Sequence, residues 1–136
     1  MQIAAGKRSV SSVILDASAL LALLNQEPGG EAVAKLIPGV GISAVNLSEV
    51  AAKLAEQGTP WESIRPALDD LGLEVHTFDV EAAFQTAALR QPTRSLGLSL
   101  GDRACLALGQ QLTASVLTTD RDWGKLDLGI DIRVIR

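Results

Sequence analysis

Five short apolar stretches, "SVIL", "VGIS", "LEVHTF", "SVLTT" and "DIRVI", recur along the chain with helical segments between most of them. This alternation constrains the fold more than any other feature. Parallel strands need long crossovers, helices usually supply them, and the sheet that results is covered on both faces. The sequence therefore predicts an α/β fold in which the C-terminal ends of the strands share one edge. Ligands of such sheets gather beyond that edge, where the strand order reverses.

The helical segments carry their own punctuation. "ASALLALLNQ" is dense in apolar residues and ends at Pro28, Gly29 and Gly30, and "GGEAVAKLI" stops at Pro38 and Gly39. From Ala44 to Gln57, Leu47, Val50, Ala51 and Leu54 repeat at helical spacing before Gly58. "TPWE" predicts a helix capped by Thr59, with proline in its first turn and Glu62 closing a capping box, running to about Leu71. Asp79 caps a helix reaching about Arg90, "QPTRSLGL" reads as a loop, and Ser99 caps a helix that carries Asp102 to Leu112. "RDWGKL" supplies about two turns between the last two strands.

At 136 residues the chain suits one domain, and 47% hydrophobic residues with positive mean hydropathy indicate a packed core. Residues 1–11 read as a flexible N-terminal extension and 12–136 as the domain. The longest apolar run, Val13 to Leu24, is broken by Asp16 and Ser18 and is too short to span a membrane. No signal-peptide pattern precedes it, so a cytoplasmic location is expected. Single residues Cys105 and His76 exclude an internal disulfide and a Cys/His zinc site. Any metal is then held by carboxylates. A net charge of −4 argues against a broadly basic, nucleic-acid-coating surface and leaves room for a local basic rim.

Four acids stand apart. Asp16 directly follows the first strand and Asp120 follows "SVLTT", so in a parallel sheet both emerge at one edge, while Glu49 and Asp102 lie near the starts of helices. Ionised carboxylates a few ångströms apart repel one another by several kcal/mol at an effective dielectric near 20. Such a cluster persists when one or two hard cations occupy it, and an all-oxygen site suits magnesium or manganese.

The segments "LDASALLALL", "SAVNLSEV", "LSLGDRACLAL" and "LTTDRDW", in this order, resemble the PIN-domain ribonucleases, in particular the VapC-type toxins of bacterial toxin–antitoxin pairs. The resemblance covers about residues 12–136. It implies a three-layer α/β/α fold with a five-stranded parallel sheet, an acidic pocket for divalent metal, and cleavage of single-stranded or loop RNA. It places the family's acids on Asp16, Glu49, Asp102 and Asp120, with Ser18 as the small polar residue after the first and Thr118 or Thr119 as the hydroxyl before the fourth. One or two magnesium or manganese ions held by Asp16, Asp102 and Asp120 would activate water and stabilise charge on the attacked phosphate. Glu49 and Asp122 are secondary metal candidates, Asn46 can fix Glu49, contact substrate or equally serve the helix start, and Arg103 and Arg121 are candidate RNA contacts. The resemblance also implies a homodimer and a cognate VapB-type antitoxin reaching the acidic cleft. Surplus apolar residues between Ala44 and Leu71, namely Leu47, Val50, Leu54, Trp61, Ile64 and Leu68, offer a surface for such contacts.

Plainer roles compete for each residue. Asp16 and Asp102 can be helix caps, Glu49 can pair with Lys53 one turn on, and Trp61 and Trp123 read as packing anchors. A non-catalytic partner-binding module of the same fold is the alternative function. A dehalogenase-like phosphotransferase would need a second acid where Ser18 stands. Between the acids of "TTDRDW", Asp120 is favoured as the ligand because it lies closer to the strand end; a short helix would turn Asp122 away from it.

Overall fold

The computed structural model describes residues 11–136, and its first strand, β1 (Val13–Leu15), lies at the centre of a five-stranded sheet. From β1 the chain passes through α1 (Ala17–Leu24) and α2 (Gly30–Ala34) to β2 (Gly41–Ser43), then through α3 (Ala44–Glu56) and α4 (Trp61–Asp69) to the edge strand β3 (Glu74–His76). It returns across the sheet through α5 (Val80–Ala88) and α6 (Leu100–Leu112) to β4 (Ser115–Thr118), on the other side of β1, and ends in β5 (Ile132–Val134). The order is β3-β2-β1-β4-β5 with every pairing parallel, as the alternation of elements requires. Strand order thus reverses between β1 and β4, which makes the C-terminal ends of these two strands the switch point.

Register sharpens that statement. Leu15 pairs with Leu117, and one residue later the Asp16 N–H donates to the Leu117 carbonyl at 2.9 Å. Asp16 and Thr118 therefore leave the sheet side by side. Strand alternation divides the core. Leu15 joins Leu20, Val50 and Ile64 on one face of the sheet, while Ile14 joins Leu106, Val116 and Trp123 on the other. These fully or almost fully buried side chains each contribute roughly 1.5–3 kcal/mol relative to exposure.

Several boundaries differ from the sequence reading. Pro60 keeps an extended ψ of 135°, so α4 begins at Trp61 with no side-chain cap, and the capping box expected from Thr59 and Glu62 does not form. Helix α2 ends at Ala34 because Ile37, preceding Pro38, is disfavoured in the helical region. "RDWGKL" forms a 3-10 helix over Arg121–Lys125. The expected extension lies outside the described residues for positions 1–10. Ser11 instead belongs to the domain: it is buried, and its hydroxyl donates to Glu74 Oε1 at 2.8 Å and lies 3.0 Å from His76 Nε2. Among the described residues no helix is long and apolar enough to cross a membrane.

Candidate functional site

Asp16 is where β1 stops and α1 starts. Its extended backbone (φ −71°, ψ 155°) places the side chain over the helix start, and Oδ1 accepts from the Ala17 N–H at 2.9 Å. The capping role is therefore real, and it occupies one oxygen only. The other, Oδ2, accepts from the hydroxyls of Ser18 at 2.7 Å and Thr118 at 2.9 Å. Those hydroxyls in turn accept from the next strand's exit: Thr119 N–H bonds Ser18 Oγ and Asp120 N–H bonds Thr118 Oγ1, both at 3.0 Å. Thr118 is thus the hydroxyl that serves the first acid, whereas Thr119 contributes its backbone. The ends of β1 and β4 are joined by a network centred on one buried carboxylate.

Helices α3 and α6 bring the second pair of acids. Asn46, fully buried, donates through Nδ2 to Glu49 Oε1 and to the Gly101 carbonyl, each at 2.9 Å. Glu49 is consequently held by Asn46, and Lys53 pairs instead with Glu56 at 3.6 Å. Gly101 permits this approach, since a Cβ there would collide with the Glu49 carboxylate. Sequence reading passed over Gly101; the only signal was a glycine inside a helix beside an acid. Asp102 forms the capping box that its spacing from Ser99 predicts, with Ser99 N–H donating to Oδ2 at 3.0 Å and Asp102 N–H to Ser99 Oγ at 3.1 Å. One oxygen of Asp102 is thereby occupied.

Asp120 and Asp122 have different local engagements. Asp120 caps the 3-10 helix, Oδ1 accepting from the Asp122 N–H at 2.9 Å, whereas the Asp122 carboxylate is drawn to Lys125 Nζ at 3.0 Å. The two arginines proposed as RNA contacts are also engaged elsewhere. Arg103 Nη1 donates to the Thr86 carbonyl of α5, and Arg121 Nε to the Arg136 carbonyl, both at 3.2 Å. Arg103 is half-buried against α5, so it acts first as a packing residue there.

Electrostatics ties the acids together. Burial pushes the Asp16 carboxyl from 3.8 up to about 6, and the negative charge of Asp102 pushes in the same direction, against hydrogen bonds from Ser18, Thr118 and Ala17 that favour the ionised form. Burial likewise pushes the Cys105 thiol up, with Asp16, Asp102 and Glu49 all adding to the effect. Three of the four acids therefore act on one point at the start of α6. Among the described residues, no three acidic, histidine or cysteine side chains are already drawn in around one metal position. The donor chemistry would nonetheless suit a hard cation, which could draw on carboxylate oxygens of Asp16, Asp102 and Asp120, and the buried Asn46 Oδ1 beside Glu49 has no hydrogen-bond donor.

The two tryptophans divide. Trp123 is fully buried beneath the sheet, as a packing anchor should be, while Trp61 is 68% exposed. Val50, Leu54, Ile64 and Leu68, expected to supply a contact surface, are core residues, because α3 and α4 pack their apolar faces on the sheet and on each other. What remains outside is a groove of about 650 Å³ between α3 and α4, whose lining includes Trp61, Leu47, Ala44, Ala51 and Val75.

The PIN domain family model matches residues 13–128. No curated protein matches the chain. Solved structures with the same fold include a toxin–antitoxin complex from Klebsiella pneumoniae, 20% identical, with a TM-score of 0.73 over 92% of this chain and 98% of that one. Mycobacterium tuberculosis VapC20, a sarcin–ricin loop cleaving toxin, is 16% identical with a TM-score of 0.71 over 84% and 94% of the two chains. DNA-bound VapBC from Salmonella typhimurium is 21% identical with a TM-score of 0.70 over 90% and 97%.

Proposed function

The chain belongs to the PIN domain family, and from that premise we propose that it is a VapC-like toxin: a magnesium- or manganese-dependent endoribonuclease that cuts single-stranded or loop RNA. The observation that carries this reading is Asp16, a buried carboxylate at the switch point, raised in pKa and facing further acids across the strand ends. A cation there would be held by Asp16, Asp102 and Asp120, with Glu49 assisting, and would supply Lewis acidity toward a phosphodiester. The chain's own residues do the positioning. Thr118 and Ser18 fix the Asp16 carboxylate and, through the backbones of residues 119 and 120, the start of the Asp120 loop. Asn46 fixes Glu49 against the start of α6. The lone histidine is hydrogen-bonded to Ser11 at the sheet edge, so acid–base work in the pocket falls to carboxylates.

A toxin of this kind restrains growth until a cognate antitoxin covers it. We assign the antitoxin a basic side chain directed at the acidic cleft, and the α3–α4 groove with its exposed Trp61 to contacts with the antitoxin or with a second copy of the chain. The test is direct. Purified protein is incubated with single-stranded and hairpin RNA in magnesium, in manganese and in EDTA, beside Asp16→Asn. Cut products are expected only with a divalent ion and only from the wild type. RNA left intact under all conditions would leave a non-catalytic binding module as the correct reading, and full activity in the variant would overturn the role given to Asp16.

A further inference from the structure

An acidic protein that binds a polyanion holds it with a small number of uncommitted cations, and those among the described residues can be identified. Lys53, Arg65, Lys125, Arg133 and Arg136 are in ion pairs, and Arg103 and Arg121 donate to backbone carbonyls. Among the described residues, only Lys35, Arg90 and Arg94 have no side-chain partner in a hydrogen bond or ion pair. Lys35 stands alone at the end of α2. Arg90 and Arg94 instead share a concavity of about 190 Å³ with Thr93, Gly97 and Leu98.

The surroundings of this concavity are suited to an anion. No Asp or Glu occurs from Ala82 to Gly101, although the chain as a whole carries a net charge of −4. The Thr93 hydroxyl is turned inward to the Leu89 carbonyl at 2.7 Å, so the two exposed guanidinium groups supply the polar character of the mouth. Guanidinium groups present forked donors that match phosphate oxygens. Position matters as much as charge. Gly97 is five residues before Asp102, which bounds their separation at roughly 18 Å even for a fully extended chain.

We propose that Arg90 and Arg94 form a phosphate-binding subsite that anchors the RNA backbone beside the acidic pocket. The inference rests on the ribonuclease reading for its ligand. It replaces Arg103 and Arg121 as the main backbone contacts, and it explains how a strand is retained next to carboxylates that repel it.

The experiment uses fluorescently labelled single-stranded RNA and the full chain in EDTA, so that binding is read without cleavage. Wild type, Arg90→Gln/Arg94→Gln and Arg90→Lys/Arg94→Lys are compared by anisotropy over a salt series. The glutamine pair is expected to bind at least about tenfold more weakly, with a slope of log K against log salt shallower by about 1.4, two contacts at roughly 0.7 each on a single strand. The lysine pair should keep the slope. In magnesium, the glutamine pair should raise KM and leave kcat unchanged. Affinity and slope equal to wild type in the glutamine pair, or a wild type that does not bind RNA, overturns the subsite. Arginine-dependent binding without any cleavage in magnesium overturns the ribonuclease reading and leaves the subsite standing. An unchanged melting temperature in both variants confirms that the comparison is between folded proteins.

Discussion

Asp16 and Asp120 leave neighbouring strands at the same edge of the sheet, yet one is sealed and the other is wet. Asp16 is 5% exposed and accepts three hydrogen bonds; Asp120 is exposed and accepts one, from its own helix. The difference separates two tasks. The inner carboxylate is fixed before any ligand arrives, at an energetic cost, while the outer acids keep the freedom to adjust to what binds.

The sharpest way to break this comparison is to neutralise the two acids in turn. Asp16→Asn should lower divalent-dependent RNA cleavage by at least about a hundredfold, and Asp120→Asn should do the same, because each removes a carboxylate from the proposed cation site. Only the first should also stabilise the metal-free protein. Asp122→Asn, whose carboxylate is already paired with Lys125, should weaken cleavage several-fold at most. Equal losses in Asp120→Asn and Asp122→Asn, measured as kcat/KM, would reverse the assignment between them.

A pH series tests the energetic cost itself. The Asp16 carboxyl is raised from 3.8 to about 6, so the folded chain holds this proton more tightly than the unfolded chain does. Stability therefore falls as pH rises from about 4 to 6, and the cost, on the order of 3 kcal/mol from the size of the shift, is fully present above that range. In EDTA, the melting temperatures of wild type and Asp16→Asn should coincide near pH 4 and separate by several degrees above pH 6. Added magnesium should close the gap by raising the wild type alone. A gap that is the same at every pH would show that burial is not what disfavours the charge.

Thr118→Val probes the connection between the sealed and the open acid. The hydroxyl donates to Asp16 and accepts from the backbone of Asp120, so its loss leaves buried groups without partners and should cost about 1–3 kcal/mol in chemical denaturation. Cleavage should drop about tenfold, through displacement of both acids. The smallest effect is expected at the periphery: Arg121→Gln, which removes only a bond to the chain terminus, should change stability by less than about 0.5 kcal/mol and RNA affinity by less than about twofold.

Legibility in the sequence followed the range of the interaction. Strand periodicity, the Ser99–Asp102 cap and the Asp79 cap are decided within a few residues, and the positions of Asp16 and Asp120 directly after their strands put both at one edge of the parallel sheet. Partners farther along the chain were not legible. Arg103 reaches a carbonyl 17 residues away and Arg121 one 15 residues away, and neither spacing carries a local signal. Glu49 had two partners within a helical turn, Asn46 and Lys53, and the choice of Asn46 depends on Gly101 of a different helix. The exposure of Trp61 was hidden for a similar reason: helical spacing groups it with Ile64 and Leu68, but only the packing of α4 decides which of them are covered.

The bond between Thr118 and Asp16 spans 102 positions. A chain emerging from the ribosome therefore carries its first acid from the outset but cannot seat it until β4 has been made. The same holds for Asp120, which follows that strand. A polypeptide that ends before residue 118 lacks both the hydroxyl that holds Asp16 and the Asp120 carboxylate, so truncation alone takes two groups from the candidate site.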